Sequence, residues 1–429
     1  MRATLGQPPL RAALATAGGA ALLTASVVLV LDAAAAPSFL VPGGVRSFPH
    51  WLAGPFTGLG ERTTWTGFGW LLVVLFGAWL AILAGVRSVS RRALVVAIVA
   101  VHVLFLLAPP LLSADIFGYV GMARLPAVHH LDPYVFGTGA VPSDPIRTYL
   151  RWRDARSAYG PLFTALSELL VPLGIAGAVW TFKWIAFLAS LATVAMVWRL
   201  AERRGIDPRF AAALVGLNPI VLAFEVGGGH NDALVVALTV AGIALVEGRR
   251  AVGGGAAFVV GAALKVTPGL LLPFAFAGRP DRRPGIVAGA LLAGLAAAAV
   301  ALAAFGSHAF AFLSTVPGAH GGVARHSVPN ELALQLTGAG LSPTARTAAS
   351  GLAAAAIAVA LWRAWRGADW ITCAGWATLA LLLGTAWLLP WYATWLTPLA
   401  ALSPSRRLRA ATLLFVAYVC ATRIPFLLA

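Results

Sequence analysis

The chain has 429 residues, 60% hydrophobic and 11% charged, with 31 Lys and Arg against 15 Asp and Glu for a formal charge of +16. Ordinary globular domains carry about 25% charged residues, so this composition excludes a soluble domain and predicts a polytopic membrane protein. The arginines form no single basic face, which argues against a nucleic-acid partner.

They fall instead in clusters between apolar runs: Arg87 to Arg92, Arg199 to Arg209, Arg249 with Arg250, Arg279 to Arg283, Arg363 with Arg366, and Arg406 to Arg409. Placing all six on the cytoplasmic side satisfies the positive-inside rule and sets them beside anionic membrane lipids. Apolar runs of about 20 residues suit helices crossing a ~30 Å core rather than the alternating strands of a barrel. The expected fold is therefore all-α, a single polytopic helical bundle over residues 1–429, with about ten to twelve transmembrane segments. Cys373 and Cys420 both lie in apolar runs and suggest neither a disulfide framework nor a thiolate metal site.

In chain order, Ala12 to Leu31 reads as a retained first helix, being longer than the core of a signal peptide, although Asp32 and the alanines after it resemble a cleavage site. Thr66 to Gly85 returns to the first large arginine cluster, and Arg92 to Leu112 leads out again to a polar loop, residues 113–160. Pro161 to Leu173 is short enough to be interfacial or re-entrant, and Ala176 to Val197 runs back to the basic side. Phe210 to Phe224 and Ala233 to Val246 bracket a second external turn. Val252 to Ala277 is interrupted at Lys265 to Pro268, which predicts a broken helix or helical hairpin lining a cavity. Ile286 to Phe305 leads to a second external loop, residues 306–330, with His308, His320, Arg325, His326 and Asn330. Thr347 to Leu361, Ile371 to Leu389, a short return to Ser403 and a last helix from Ala410 complete the chain, with Trp391, Tyr392 and Trp395 expected as an interfacial aromatic belt.

Four constellations carry candidate chemistry, each with a plainer alternative. Asp115 follows the third helix without a charged neighbour, the position of a functional carboxylate or of a helix cap, and Tyr119 and Arg124 follow it. His130, Asp132 and Tyr134 could bind sugar hydroxyls or belong to a solvated loop; the His129-His130-Leu131-Asp132 pattern lacks metal-ligand spacing, and neither metal nor cofactor is expected. His230, Asn231 and Asp232 follow three glycines where a helix begins, which fits a ligand turn or simple capping. Lys265, one of two lysines, either snorkels or binds an anionic group, and Arg325, His326 and Asn330 could hold a phosphate or belong to a solvated loop.

Asp115-Ile-Phe-Gly-Tyr119, Gly-Gly-His-Asn-Asp-Ala233, Lys265-Val-Thr-Pro268 and Pro390-Trp-Tyr392, in this order over residues 90–400, together resemble the actinobacterial polyprenol-phosphomannose-dependent alpha-1,6-mannosyltransferases of the GT-C class. The resemblance implies a multi-pass cell-membrane enzyme with external catalytic loops. It would take mannose from a polyprenyl-phosphate-linked donor and pass it to a growing mannan or lipoglycan. On that resemblance Asp115 matches the acidic residue of the first catalytic loop; Ile116 stands where many relatives carry a second acid. A sugar phosphate has a good leaving group, so one base suffices, with Asp232 and Glu331 as reserves to Asp115. The competing class is a lipid-linked sugar transporter or flippase using the Lys265 break and the His230 turn. Transporters hold substrate near the midplane, whereas the polar residues here collect on one face.

Overall fold

The computed structural model describes residues 8–35, 38–41, 49–60, 62–313 and 322–424. His320, the middle of the 306–330 loop and part of the suspected cleavage site lie outside the described residues. Every regular element among those described is helical.

Helix α1 (Pro8–Ala34) packs antiparallel on α2 (Trp65–Gly85) through glycines: Gly18 faces the backbone of Ala78 and Gly85 that of Arg11. Without a hydrophobic driving force between helices in lipid, close approach of this kind supplies the packing energy. Helix α3 (Arg91–Leu107) starts at Ser90, whose hydroxyl accepts from the Ala93 amide at 3.1 Å, and ends just before Pro109 and Pro110. Helix α4 (Asp115–His129) carries the first polar loop, and α5 (Pro161–Glu168) is set apart from the 30-residue α6 (Gly174–Arg203) by a 3-10 turn and Gly174 at φ 71°.

Helix α7 (Pro208–Gly216) bends by 46° into a π-helical turn, Ile220–Val226, at Asn218 and Pro219, and α8 (Asp232–Glu247) follows the glycine turn. Helices α9 (Ala251–Leu264) and α10 (Leu271–Gly278) form the hairpin expected from the interruption at Lys265. Helix α11 (Arg283–Phe305) packs against α9, and α12 (Val328–Thr337), α13 (Pro343–Trp365) and α14 (Trp370–Gly384) follow. The chain then returns through a 3-10 turn, Pro390–Trp395, and the fully buried α15 (Thr397–Leu402) to α16 (Arg406–Ala421).

Among the described residues five helical stretches are long and apolar enough to cross a membrane, or six with the bent pair counted as one span. The larger number of segments expected from the apolar runs arises because Pro219, Pro268 and Pro390 stand at breaks between shorter helices, such as Ala251–Leu264 and Trp370–Gly384. The protein is a multi-pass membrane protein.

Helix ends gather into two groups. At one, Arg204 donates to Asp369 at 2.6 Å and to the Leu402 carbonyl at 2.8 Å, Arg279 pairs with Glu247, and Arg87 with Asp207 at 3.1 Å. The other group holds the start of α4, the turn before α8, the hairpin tip and the Pro390–Trp395 turn, and it encloses the cavity described next.

Candidate active site

The approach to Asp115 is held from both sides. The Leu111 amide donates to the Gly227 carbonyl at 3.0 Å and the Leu112 amide to the Leu40 carbonyl at 2.7 Å. Between these anchors Leu112 adopts φ 63°. A left-handed conformation costs a bulky residue about 1–3 kcal/mol and persists only where its surroundings impose it. The result puts Asp115 at the first position of α4, with Ala114 at the cap and Ser113 accepting from the Asp115 amide at 3.2 Å. The carboxylate therefore does not cap the helix, and it accepts no hydrogen bond from the described residues.

Opposite stands the glycine turn. Gly229 has φ 66°, a conformation that glycine adopts without strain, and it lies against the Ile116 side chain of α4. Lys183 of α6, fully buried, reaches into this junction and donates to the carbonyls of Phe105 at 2.8 Å, Gly227 at 2.9 Å and Pro109 at 3.4 Å. It satisfies an orphan carbonyl at the end of α3 and ties that end to the turn.

The turn delivers His230, buried and stacked on Trp391 with centroids 3.8 Å apart. Its Nδ1 donates to the Phe224 carbonyl at 2.6 Å; a carbonyl only accepts, so the proton of the neutral ring sits on Nδ1. Nε2 then presents a lone pair 3.8 Å from Oδ2 of Asp115 and has no hydrogen-bond partner among the described residues.

Asp232, fully buried at the start of α8, accepts from Lys265 Nζ at 2.8 and 2.9 Å and from the Trp395 indole at 2.7 Å. The ammonium also lies 4.8 Å from the centre of the Tyr392 ring, which stacks on Trp395 at 4.2 Å. A carboxylate at that depth must be paired, and this pairing removes Asp232 from the set of available bases.

A cavity of about 1000 Å³ opens above these residues. Asp115 is the sole carboxylate among its described lining residues, facing Arg151, Arg156, Arg325, Arg423, His326 and Lys265. Nε of Arg423 is buried and has no hydrogen-bond partner among the described residues. One wall is apolar, built from Phe39, Trp65 and Phe68, and another carries Trp391, Tyr392 and Trp395. Those three aromatics thus wall the cavity instead of forming an interfacial belt, because the 3-10 turn at Pro390 folds them inward against the π-helical turn.

Of the residues singled out in the sequence, Asp115, Lys265, Arg325 and His326 line the cavity, and His230 backs Asp115. Tyr119 and Asn231 form a buried clasp, the phenol donating at 3.2 Å, that holds α4 to the turn without reaching the cavity. Arg124 is not there either: nine residues, or about 13 Å of helix, separate it from Asp115, and it donates to both oxygens of Asp144 at 3.0 Å beside His129 at 2.5 Å. His130 ends α4 in a left-handed conformation. Asp132 accepts from the Tyr134 amide at 2.8 Å and meets His308 at 2.9 Å, while the Tyr134 hydroxyl donates to the Tyr159 carbonyl at 3.0 Å. Asn330 donates to the Arg325 carbonyl at 2.7 Å and so shapes the loop behind Arg325, and Glu331 is taken up by His326 at 2.6 Å. Arg151, Arg156, Arg423 and the aromatics were not singled out as ligand contacts; the arginines of the 113–160 loop were the available signal.

Among the described residues no three His, Cys, Asp or Glu side chains come close enough to hold a metal ion.

The described residues define a multi-pass, all-helical membrane protein with one carboxylate in a cation-rich cavity. A family profile described as "Alpha-(1->6)-mannopyranosyltransferase, N-terminal domain" matches residues 15–278, and one described as "MptB C-terminal domain" matches residues 319–425. The chain is 30% identical over 384 residues to "Alpha-(1->6)-mannopyranosyltransferase A" of Mycobacterium tuberculosis, covering 81% of this chain and 71% of the relative. It is 27% identical over 171 residues to the protein of the same name from Corynebacterium glutamicum, covering 39% of this chain and 35% of that relative. No solved structure matches. The chain belongs to the alpha-(1->6)-mannopyranosyltransferase family and is a mannosyltransferase.

Proposed function

We propose that the protein transfers mannose from a polyprenyl-phosphate-linked donor to a mannan or lipoglycan acceptor at the external face of the cell membrane, by inversion, with Asp115 as general base. The observation that carries this reading is the lone carboxylate among the described lining residues of a cavity that also carries four arginines, Lys265 and several aromatic rings. The arginine clusters at the opposite helix ends support the orientation, since they belong on the cytoplasmic side.

The acceptor hydroxyl oxygen attacks the anomeric carbon of the donor mannose. The bond from that carbon to the phosphate oxygen breaks, and its electron pair stays on the departing polyprenyl phosphate. The hydroxyl proton passes to Asp115. One displacement inverts the anomeric centre, so an α-linked product requires a β-linked donor.

Arg325 and Arg423 line the cavity and offer positive charge to the phosphate as it leaves, with Arg151 and Arg156 on the 113–160 loop. Lys265 spends two of its three N–H donors on Asp232, which leaves one for the cavity. The wall of Phe39, Trp65 and Phe68 suits the first isoprene units of the carrier. His230 Nε2 presents its lone pair 3.8 Å from Oδ2 of Asp115, close enough to accept a hydrogen bond from the protonated carboxyl if the two groups approach further.

Radiolabelled polyprenyl-phosphate mannose and an oligomannoside, incubated with purified protein, test the reading. Asp115→Asn should insert and bind donor lipid normally but transfer on the order of 10² to 10⁴ times more slowly, the usual contribution of a positioned base. Wild-type transfer by Asp115→Asn would remove the base assignment.

A further inference from the structure

Trp152 and Trp387 meet at the rim of the cavity, their ring centroids 6.2 Å apart and their planes at 64°. Trp152 is 54% exposed, yet its neighbours are anchored. The Arg153 carbonyl accepts from the Gly139 amide at 2.6 Å, and Arg153 donates to the Arg147 carbonyl at 3.3 Å. Trp387 is held as firmly. Its amide donates to the Thr385 hydroxyl at 3.2 Å, and the Ala324 amide donates to the Ala386 carbonyl at 2.9 Å beside it. Gly322 makes room for the ring, because an added Cβ would stand 2.8 Å from the indole.

An indole that anchors a helix in the bilayer interface lies against headgroups, whereas both of these line the cavity that contains Asp115. Their surroundings also differ from those of the other aromatic wall. Phe39 and Trp65 stack at 4.1 Å next to Phe68 and Leu112, an apolar surface suited to hydrocarbon. Trp152 instead has the Arg151 guanidinium 5.5 Å from its ring centre and Arg156 nearby on the same loop. A pyranose has the matching chemistry: a face of C–H bonds that packs on an aromatic ring, and an edge of hydroxyls for charged donors.

We propose that Trp152 and Trp387 form an acceptor subsite, holding a mannose unit of the acceptor glycan next to the unit whose hydroxyl reacts at Asp115. The proposal rests on the mannosyl-transfer reading of the cavity. It separates the two substrates by wall: the lipid carrier along Phe39, Trp65 and Phe68, the acceptor across the two indoles.

The test is equilibrium binding of α-(1→6)-linked mannotriose and of farnesyl phosphate to the purified, donor-free full chain, paired with steady-state transfer kinetics. Trp152→Ala should weaken mannotriose binding and raise the acceptor KM about tenfold, the scale of one lost aromatic contact. Farnesyl phosphate affinity and donor KM should stay unchanged, and Trp152→Tyr should retain most of the affinity. Trp387→Ala should reproduce the acceptor defect. Unchanged mannotriose affinity in Trp152→Ala, or a loss confined to farnesyl phosphate, overturns the subsite. A wild-type protein that binds mannotriose through Trp152 but transfers no mannose from the prenyl phosphate refutes the donor reading and leaves the subsite standing.

Discussion

Nε2 of His230 lies 3.8 Å from Oδ2 of Asp115, on a ring held by the Phe224 carbonyl at one edge and by Trp391 across one face. The histidine is buried and absent from the cavity lining. If Asp115 is the base, His230 acts on the reaction through that carboxylate, as a positioning residue.

His230→Gln should therefore lower turnover on the order of 10²-fold, the cost of a small misplacement of a reacting group, with little change in the KM for donor. Steady-state kinetics with both substrates varied separate these effects. A raised donor KM at normal turnover would instead make His230 a substrate contact.

Arg325 and Arg423 come from segments nearly a hundred residues apart, tied together where the Tyr418 hydroxyl donates to the His326 carbonyl at 2.9 Å. If both hold the donor phosphate, Arg325→Ala and Arg423→Ala should each weaken prenyl phosphate binding about tenfold or more, as expected for one lost charge-assisted contact. Mannotriose binding should be unaffected. Isothermal titration with farnesyl phosphate checks the first expectation, and equal loss of both ligands would point to a collapsed loop.

Lys265 and Asp232 should behave as a pair. Lys265→Met leaves a fully buried carboxylate without its cation and should destabilise the protein by about 3–5 kcal/mol. Lys265→Met combined with Asp232→Asn should recover most of that loss. Thermal unfolding of the two single variants and the double variant gives the coupling energy, and additive effects would show that the pair is not the reason Lys265 is present.

Asp144 gives the 113–160 loop a pH dependence. Burial pushes its carboxyl up, but hydrogen bonds from Arg124 and His129 more than offset this and hold it below the ordinary aspartate range. A depressed carboxylate contributes stability that is fully present above its unfolded value, near about 4, and is lost as pH falls through the lower folded value. Hydrogen exchange in residues 141–157 should thus show constant protection from neutral pH down to about 5 and progressive loss below about 4. In Asp144→Asn the protection should be weaker at neutral pH and should lack this acid-dependent loss.

Composition and hydropathy alone determined that this is a multi-pass helical membrane protein, because burying a backbone in hydrocarbon leaves few solutions besides the helix. They also located several breaks and ends: Thr66 to Gly85 was expected where Trp65–Gly85 forms, and the interruption at Lys265 became the tip of a hairpin. Asp115 stood out because a carboxylate beside an apolar run is costly, and it lines the cavity. What a charged side chain pairs with is not local. Asp232 meets Lys265 from 33 residues away and Trp395 from 163 away, and no spacing rule links those positions. Arg124 turned to Asp144, and Tyr134 was buried, because neighbouring elements supplied partners that desolvated polar groups must have. Trp391 and Tyr392 read as an interfacial pair in one dimension, and only the inward fold of the Pro390–Trp395 turn made them a wall of the site.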